Sequence, residues 1–584
     1  MARRLVEYLR DRRVVLAVFG VLVLAYVVAF VIAQLTDAVH WDELVQLRRA
    51  ERVASTGVLN GGGRPGLGVP PFVPFVADCH DTMSTIHAAR IVWSIWSFAL
   101  LAGIYALVRR VARTATWHAP ALAVAMLALV PLFLRWALQV RTDPAAAACT
   151  VWAAVALLAS RDRTKLAALA GAMCSIGVLF TQKAVYLGAL AGLLAIGDLY
   201  IDRAFAWRRE LLRTGLFVVG FVLVYGTFKA VTLAFLTPIP ISFDAGAELL
   251  DWYREVLGYR LYPNMVTSVI PQILLIALIV IAAVRAMHVD SPQRRPLVVA
   301  LAVGLLAVAV GRFHAGSFPF FWITLGVFPA VMIGMGWEGI RELLPRAHAP
   351  LLAVVWLASI ANAVRYRAET LHDTQHVQRA TYAFIEQNVP PTWRGFHSDS
   401  GLICRQDPAP LPPFLGQTTQ QRLYGANGDK GTRDFIAEFR TRPIAFVVAT
   451  HRLPTFPAAW QEFYKSHYVQ YAGSVWLAGQ RIAGAAGTRG SLDVIVPGRY
   501  RWRPTGITRL TVGTMTLDAG GEIDLSLGLH EIVLDDAGDG VLALSLDAPP
   551  SPPDGDFHDR MMWLELAGER HTWWRSVSPA SELP

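Results

Sequence analysis

Long apolar runs alternate with short polar or charged segments from the N-terminal region to about residue 364. Each run is roughly 16 to 23 residues long, so as a helix it approaches the thickness of a hydrocarbon core of about 30 Å. The first run lacks a small-residue cleavage site before Asp37, and we expect it to stay in the protein as a span. The pattern predicts about eleven membrane-spanning helices, at 14–34, 91–108, 119–139, 145–160, 166–181, 184–200, 214–236, 267–284, 296–311, 318–336 and 349–364.

The pattern changes after Arg365. Amphipathic segments such as QRATYAFIEQNV alternate with strand-like segments such as IAFVVAT, which predicts an α/β domain over 366–484. Short alternating runs broken by Gly and Asp-Gly turns then predict a β-sandwich-like domain over 485–548, and the Pro-rich PPSPPDGD opens a linker and tail over 549–584. The predicted fold is a polytopic α-helical membrane domain over 1–365, followed by an α/β plus β-sandwich region.

Composition agrees with a membrane location for most of the chain. Hydrophobic residues make up 54% of the 584 residues, charged residues 17%, and the mean hydropathy is +0.41. Soluble domains average about 45–50% apolar and about 25% charged residues. This balance excludes a disordered chain, and four Cys exclude a disulfide-rich scaffold.

The net charge of +9 reflects Lys and Arg that are concentrated in alternate loops. One set of loops holds 20 basic residues, whereas the opposite short loops hold five. Because cytoplasmic loops carry the excess of Lys and Arg, the first set is predicted to be cytoplasmic and everything after residue 365 exoplasmic. Membrane topology thus accounts for the charge, and we do not expect nucleic-acid binding.

Two exoplasmic loops are prominent. The first covers 35–90, and the second, 237–266, contains AGAELLDWYREVLGYRLYP, which is predicted to form an amphipathic helix at the membrane interface. Cys79 in the first loop and Cys404 in the C-terminal region both lie where a disulfide is permitted. Nothing in the sequence decides whether these two cysteines pair.

The β-rich segment contains aromatic residues, among them Tyr500 and Trp502. On the exoplasmic side, such residues indicate binding of an acceptor or a glycan. The alternative is that they only pack inside the domain.

The first exoplasmic loop carries an acid pair, Asp42 and Glu43, shortly after the first predicted span. Acids are favourable in the first turn of a helix, so a helix start would explain the pair without any chemistry. A carboxylate at the membrane–water boundary can also act as general base towards an acceptor hydroxyl. The sequence leaves both interpretations open.

Another acid, Asp143, lies in RTDP at the outer end of the third predicted span, two residues after Arg141. A helix start again offers a simple explanation, with Asp143 as N-cap and Pro144 at the first helical position. Ionisable residues at membrane depth are otherwise candidates for function. Asp143 faces the same compartment as Asp42, and we expect the two acids to line one cavity open to the outer face.

Basic residues at the outer ends of the spans are candidates for binding an anionic lipid phosphate. Lys183 follows the fifth predicted span in FTQK, and Arg312 and His314 occupy the turn between the ninth and tenth spans. A lone Lys that snorkels to the interface is the alternative for Lys183. The sequence contains neither a G-x-x-x-x-G-K-[ST] nucleotide-binding loop nor H-E-x-x-H, so it indicates neither an ATP-driven pump nor a zinc protease.

This arrangement resembles the GT-C superfamily of polytopic glycosyltransferases, which includes protein O-mannosyltransferases and the lipid A aminoarabinose transferase. The resemblance covers about residues 1–370 and rests on WDE at 41–43, RTDP at 141–144 and FTQK at 180–183. FHSDSGLI at 396–403 and FVVATHRLP at 446–454 resemble the soluble tails of bacterial members.

The resemblance implies transfer of a sugar from a polyprenyl-phosphate-linked donor, typically with inversion, to an exoplasmic hydroxyl of a glycan, lipid or protein. It also implies a bacterial inner-membrane location with a periplasmic C-terminal domain. Asp42 would be the base, with Glu43 close by. Asp143 would orient the acceptor, or would help Asp42 to hold a divalent cation.

The resemblance further implies that Lys183 binds the donor phosphate. The Lys-Pro-Pro element of the aminoarabinose transferases is absent, and RPGLGVPPF at 64–72 occupies a similar place, so Arg64 would replace that Lys. Arg141, Arg312 and His314 are the other candidates for donor phosphate binding.

Two other classes remain as alternatives. A transporter or flippase of lipid-linked glycans would often show internal repeats and charged or broken segments at mid-membrane, whereas here the ionisable residues gather at one surface. An exoplasmic glycan polymerase or ligase typically relies on a large central loop, whereas here the long loop is the first.

Overall fold

The structure is a computed structural model. Its first half describes residues 24, 26–37, 39–57, 66–113, 117–202, 206–235 and 269–313. Its second half describes residues 321–345, 348–369, 375–397, 404, 407–408, 428–449, 458–506 and 508–547. The predicted interfacial helix at 237–266 and the predicted tail at 549–584 lie outside these residues.

Apolar helices dominate the first two thirds of the chain. Among the described residues, seven helices are long and apolar enough to cross a membrane, namely Thr82–Val111, Thr142–Ala159, Ala184–Asp202, Trp207–Thr232, Ile270–His288, Arg294–Gly311 and Trp322–Leu343. Four shorter apolar helices accompany them, at Tyr26–Thr36, His118–Ala128, Leu166–Phe180 and Leu352–Arg365. The chain is therefore a polytopic helical membrane protein, and the number eleven stays a prediction.

The helix bounds refine this picture. The first long span consists of two helices that meet at Ser94, and the tenth predicted span begins with a short helix before its main segment. The helices between residues 82 and 369 are Thr82–Trp93, Ile95–Val111, His118–Ala128, Pro131–Trp136, Thr142–Ala159, Leu166–Phe180, Ala184–Asp202, Trp207–Phe235, Ile270–His288, Arg294–Phe313, Trp322–Leu325, Val327–Leu343 and His348–Glu369.

Large apolar side chains cover the outer surface of several of these helices. On Trp207–Phe235, the side chains of Leu211, Val219 and Leu223 are about 60% exposed in the isolated chain. A lipid environment explains this exposure, because lipid tails are as apolar as the side chains that face them.

The third predicted span, 119–139, is not one helix. His118–Ala128 ends in a turn, and a second, short helix starts at Pro131. Proline has no N–H to donate, and its ring clashes with the preceding helical turn, so Pro131 is tolerated at a helix start but not inside a span. The expectation of an unbroken helix here is wrong for that reason.

Loops that were predicted to share the cytoplasmic side meet at one end of the bundle. Arg110 contacts Asp162 at 2.5 Å, and Asp198 lies 2.6 Å from Arg113 and 2.8 Å from Arg161. These ion pairs connect loops that are far apart in the sequence. Their assembly at one end is what alternating membrane crossings require.

The first exoplasmic loop is built from helices. A helix that we call the loop helix, Trp41–Thr56, follows the first apolar helix directly. The chain returns through two 3-10 turns, Gly66–Gly68 and Pro70–Phe72, and the short helix Val73–Ala77 before it enters the helix at Thr82. The loop helix packs against this return segment, so the described part of the loop belongs to the core.

In the part of the C-terminal region that the structure describes, there are three helices, His376–Asn388, Gly428–Thr441 and Ala458–His467, and twelve strands. The strands are β1 Arg394–His397, β2 Asp407–Pro408, β3 Phe446–Val448, β4 Tyr468–Ala472, β5 Val475–Gly484, β6 Thr488–Val494, β7 Gly498–Pro504, β8 Leu510–Val512, β9 Met515–Leu517, β10 Glu522–Leu525, β11 Gly528–Leu534 and β12 Gly538–Leu544.

The strands form two sheets. The larger has the order β10-β7-β12-β5-β3-β1-β2, with β4 also paired to β5, and the smaller has the order β6-β11-β8-β9. Of the described strands, only β1, β2 and β3 pair in parallel. The expected α/β and β-rich segments are both present.

The boundary predicted between the α/β and β-sandwich domains, at 484/485, does not separate two sheets. The ten-residue strand β5 pairs with β3 near its start, as in Leu477 with Phe446, and with β12 near its end, as in Arg481 with Val541. One long strand therefore carries a single sheet through both predicted domains.

Tyr500 and Trp502 lie in the core between the sheets, at 1% and 0% exposure. The Tyr500 hydroxyl donates to the Val496 carbonyl, and the Trp502 indole N–H donates to the Thr508 carbonyl. The prediction that these rings bind a glycan is wrong. Alternation along β7 directs them inward, where their polar atoms find backbone partners.

Cys79 and Cys404 form a disulfide, with their Cα atoms 5.2 Å apart. The backbone N–H of Cys404 also donates to the Thr82 hydroxyl at 3.1 Å. The disulfide joins the first loop to the C-terminal region. Since disulfides persist in oxidising compartments, this pairing agrees with the expected exoplasmic position of both segments.

Candidate active site

The loop helix begins with a capping box. The His40 imidazole accepts a hydrogen bond from the backbone N–H of Asp42, and the Glu43 carboxylate accepts one from the backbone N–H of His40. Such reciprocal bonds satisfy N–H groups that the first helical turn leaves without partners. The helix start that the acid pair predicted is therefore present, and Glu43 is part of its capping box.

Glu43 is fully buried, and both of its carboxylate oxygens are saturated. One accepts from Arg90 Nη2 at 2.6 Å and from the backbone N–H of His40, and the other accepts from Arg90 Nε at 2.8 Å and from the backbone N–H of Val140. Four donors use the four lone-pair directions of a carboxylate. These contacts do not support the expectation that Glu43 takes part in chemistry, because no acceptor site is left for a substrate proton.

Asp42, one residue earlier, belongs to a different network. Its carboxylate lies 2.5 Å from Arg141 Nη1, and Arg141 Nε lies 3.5 Å from the carboxylate of Asp143. The other oxygen of Asp143 accepts from the ammonium of Lys183 at 2.8 Å. In the order Asp42, Arg141, Asp143 and Lys183, these side chains alternate in charge, and we call them the site chain.

The ends of the site chain are more accessible than its middle. The side chains of Asp42 and Lys183 are 16% and 21% exposed, whereas those of Arg141 and Asp143 are 4% and 5% exposed. The outer charges can therefore meet another molecule, while the inner pair is held by the protein. The two acids come together as expected, with a guanidinium between them.

Local structure explains how Arg141 and Asp143 reach this position. The helix Thr142–Ala159 starts two residues earlier than expected, so Arg141 is the N-cap in an extended conformation and Asp143 lies in the first turn. The expected N-cap role of Asp143 is therefore wrong. The Arg141 carbonyl accepts a hydrogen bond from the Trp93 indole N–H at 2.5 Å. This bond fixes the Arg141 backbone, from which the guanidinium side chain extends.

Lys183 lies on the turn between the helices Leu166–Phe180 and Ala184–Asp202. Burial lowers the pKa of its ammonium, and the nearby Asp143 carboxylate acts in the opposite direction. A further anion at Lys183 would also favour the charged form. Lys183 is thus held by an acid and is not a lone snorkelling side chain.

Aromatic rings border the site chain. The Arg141 guanidinium lies 5.4 Å from the centre of the Trp136 ring, which also makes an edge contact with His40 at 5.0 Å. The Lys183 ammonium lies 5.9 Å from the centre of the Phe321 ring. Cations within about 6 Å of a ring centre are attracted by it, so these rings help to hold both cations in place.

Four residues of this site were missed by sequence reasoning: His40, Arg90, Trp93 and Trp136. His40 had a recognisable signal, because a polar residue three positions before Glu43 is the pattern of a capping box. Arg90 had a weaker one, as a cation at the very edge of a predicted span. The two Trp residues had none.

Several expected site residues cannot be placed. Arg64 and His314 lie outside the described residues, and Arg312 is described only by its backbone near the end of Arg294–Phe313. Their predicted contact with a donor phosphate stays a prediction.

A divalent cation does not fit the site chain as it stands. Among the described residues, no group of three His, Cys, Asp or Glu side chains comes together to hold a metal ion. Asp42 and Asp143 instead face the cations Arg141 and Lys183. A metal ion bound by both acids would have to displace the guanidinium that lies between them.

No protein-family model matches the chain, and no curated protein matches its sequence. Solved structures do match. ArnT from Cupriavidus metallidurans in the apo state is 14% identical, with a TM-score of 0.52 over 80% of this chain and 98% of that one. The chain therefore shares the fold of ArnT.

ArnT bound to undecaprenyl phosphate gives a similar result, with 15% identity and a TM-score of 0.53 over 79% of this chain and 98% of ArnT. The Archaeoglobus fulgidus oligosaccharyltransferase in the apo form is 13% identical, with a TM-score of 0.42 over 86% of this chain and 76% of that one. The match with ArnT covers 79% of this chain, so the shared fold extends from the helical bundle into the C-terminal region.

Proposed function

We propose that this GT-C protein is a membrane glycosyltransferase that moves a sugar from a polyprenyl-phosphate-linked donor to an exoplasmic acceptor hydroxyl on a glycan, lipid or protein. The observation that carries the proposal is the site chain, which offers an accessible carboxylate at one end and an accessible ammonium at the other. The match to ArnT, which has been solved with undecaprenyl phosphate bound, supports the choice of donor.

Such a transfer makes three chemical demands. The donor phosphate must be neutralised, the acceptor hydroxyl must lose a proton, and the isoprenoid tail must be held in lipid. A polyprenyl phosphate is already a competent leaving group, so the reaction needs no nucleotide. Apolar spans beside a charged exoplasmic site meet these demands together.

We assign the base to Asp42. Arg141 holds the carboxylate in place, and the 16% exposure leaves it within reach of a hydroxyl. The base would take the hydroxyl proton as the acceptor oxygen attacks the anomeric carbon from the side opposite the phosphate, which inverts that centre. A positioned general base contributes about 10²- to 10⁴-fold to the rate.

We assign Lys183 to the donor phosphate, with Asp143 as its anchor. The ammonium lies at the accessible end of the site chain, and Asp143 holds it there at 2.8 Å. A point cation of this kind suits a phosphate whose charge grows as the glycosidic bond breaks. Arg64, Arg312 and His314 remain additional proposed phosphate ligands.

We also place the protein in a bacterial inner membrane with the C-terminal region in the periplasm. The Cys79–Cys404 disulfide and the Lys and Arg concentrated at the opposite end of the bundle support this orientation.

The test uses lipid-linked sugars that accumulate when the gene is deleted, identified by mass spectrometry, as donors for the purified protein. Wild type should release polyprenyl phosphate and glycosylate an acceptor from the same cells. Asp42→Asn should lose about 10²-fold or more of the rate, whereas Asp78→Asn, which changes an exposed acid of the same loop, should not. Wild-type transfer by Asp42→Asn would overturn the assignment of the base.

A further inference from the structure

The C-terminal region binds four described residues that lead into the loop helix, namely Leu35, Thr36, Asp37 and Val39. We call His376–Asn388 the clamp helix, because it and the preceding Gln375 bind the backbone of this connection. The backbone N–H of Gln375 donates to the Thr36 carbonyl at 3.1 Å, and its side-chain amide donates to the Asp37 carbonyl at 2.7 Å. Arg379 donates to the Leu35 carbonyl at 2.6 Å.

Gln378 makes the contact nearest to Asp42. Its amide oxygen accepts from the backbone N–H of Val39 at 2.7 Å, and its amide nitrogen donates to the Val39 carbonyl at 2.8 Å. The N–H of Val39 can only donate and its carbonyl can only accept, so the backbone fixes the orientation of the amide. Gln378 and Val39 are 1% and 2% exposed, and water does not compete for these bonds.

This pairing acts on the residue that sets the start of the loop helix. Val39 precedes His40, whose carbonyl accepts the first helical hydrogen bond and whose side chain caps the backbone N–H of Asp42. The hydrogen bonds to the N–H and to the carbonyl of Val39 restrict the direction in which the chain enters the loop helix at His40. The position of Asp42 relative to Arg141 depends on that direction.

The clamp helix also holds the other end of the first loop. Glu386 accepts from the backbone N–H of Thr82 at 2.7 Å, and the Cys79–Cys404 disulfide lies beside this contact. Both ends of the loop are therefore tied to one exoplasmic element. A displacement of the clamp helix would move the loop helix as well.

We propose that Gln378 is a positioning residue, through which the C-terminal exoplasmic region holds Asp42 in its reactive place against Arg141. This inference rests on the proposed function, since it assigns Gln378 a part in the same transfer. Misplacement of a reacting group by about 1 Å can cost about 10²-fold in rate, so two hydrogen bonds at this point are enough to matter.

The test compares Gln378→Leu, which keeps the size of the side chain and removes both hydrogen bonds, with Gln387→Leu at an exposed position of the same helix. We expect kcat of Gln378→Leu to fall by at least about tenfold while KM for the lipid donor stays within about twofold, because the base is misplaced and the phosphate ligand is not. Gln387→Leu should match wild type.

A second variant separates positioning from simple packing. In Gln378→Glu, an ionised carboxylate cannot donate to the Val39 carbonyl, but a protonated carboxyl group can both accept and donate as the amide does. The ratio of the variant's kcat to that of wild type should therefore rise as the pH falls. A ratio that does not change with pH would overturn the proposal.

Hydrogen exchange gives a readout that does not need activity. The backbone amides of Val39, His40 and Asp42 should exchange faster in folded Gln378→Leu than in wild type or Gln387→Leu, with the Cys79–Cys404 disulfide intact in all three. Unchanged exchange together with unchanged kcat would overturn the inference. If wild type transferred no sugar while exchange still rose in Gln378→Leu, the proposed function would fail and the coupling of the clamp helix to Asp42 would stand.

Discussion

Arg141 Nη1 lies 2.5 Å from the carboxylate of Asp42, in a contact that joins the start of the loop helix to the start of the helix Thr142–Ala159. The same guanidinium lies 3.5 Å from Asp143 through its Nε atom. Arg141 therefore joins the proposed base to the acid that anchors Lys183, and several expectations depend on this one side chain.

Replacing Arg141 should be costly even when the charge is kept. A Lys ammonium carries its three N–H groups on one atom, whereas the planar guanidinium of Arg141 reaches Asp42 through Nη1 and Asp143 through Nε. We expect Arg141→Lys to lose at least about tenfold in kcat and Arg141→Met to lose more, because Asp42 then lacks its partner. Arg163→Met, in an exposed loop far from the site, is the matched control. Full activity of Arg141→Lys would show that bidentate holding is unnecessary.

Lys183 should affect donor affinity more than the proton transfer. Lys183→Met removes the cation assigned to the phosphate, and we expect KM for the lipid donor to rise about tenfold, equivalent to about 1.4 kcal/mol. Lys183→Arg should retain most of the affinity, because it keeps a cation next to Asp143. Lys165→Met, at the opposite end of the helix Leu166–Phe180, is the control. An unchanged KM in Lys183→Met would remove the phosphate role.

Glu43 and Arg90 should influence stability more than catalysis. Removal of one partner from a buried ion pair leaves an uncompensated charge and costs about 3–5 kcal/mol. We expect Arg90→Met to lower the thermal unfolding midpoint in detergent strongly, and the double variant Arg90→Met/Glu43→Gln to recover part of that loss. A double variant that is as unstable as the sum of the two single variants would show that the pair itself is not coupled.

Chelation should leave the transfer rate unchanged. The two candidate metal ligands, Asp42 and Asp143, already have cationic partners in Arg141 and Lys183. Purified protein dialysed against EDTA should therefore keep its activity, measured as release of polyprenyl phosphate. Loss of activity that Mg²⁺ or Mn²⁺ restores would favour the cation-assisted alternative, in which a metal ion displaces the guanidinium.

Local patterns in the sequence predicted much of the fold. Apolar runs indicated the long helices, and the alternating strands and Gly turns indicated the β-rich segment, because these signals repeat within a few residues. Pro131 was also visible, yet whether it would break or only bend the third span depends on its neighbours. The extent of β5 was harder to predict from the sequence, since its pairing with both β3 and β12 is decided by residues far along the chain.

In the candidate site, too, the sequence indicated some residues, and only the tertiary structure showed what each of them contacts. Asp42, Asp143 and Lys183 could be selected because ionisable residues are expensive near the membrane and stand out in an apolar sequence. Their neighbour Glu43 stood out equally, and only the contact with Arg90 shows that its carboxylate is fully occupied.

The sequence by itself determined that this chain spans a membrane several times and carries its unusual charges at one face. Each of these properties depends on short stretches of sequence and on whether their side chains are more stable in water or in lipid. The tertiary structure alone decided which acid is accessible, that Arg141 lies between Asp42 and Asp143, and that Gln378 holds Val39. The Glu43 carboxylate meets Val140, 97 residues later, and Val39 meets Gln378, 339 residues later. Such pairs form only when helices and sheet pack together, since ion pairs and hydrogen bonds depend on distances that no local pattern contains.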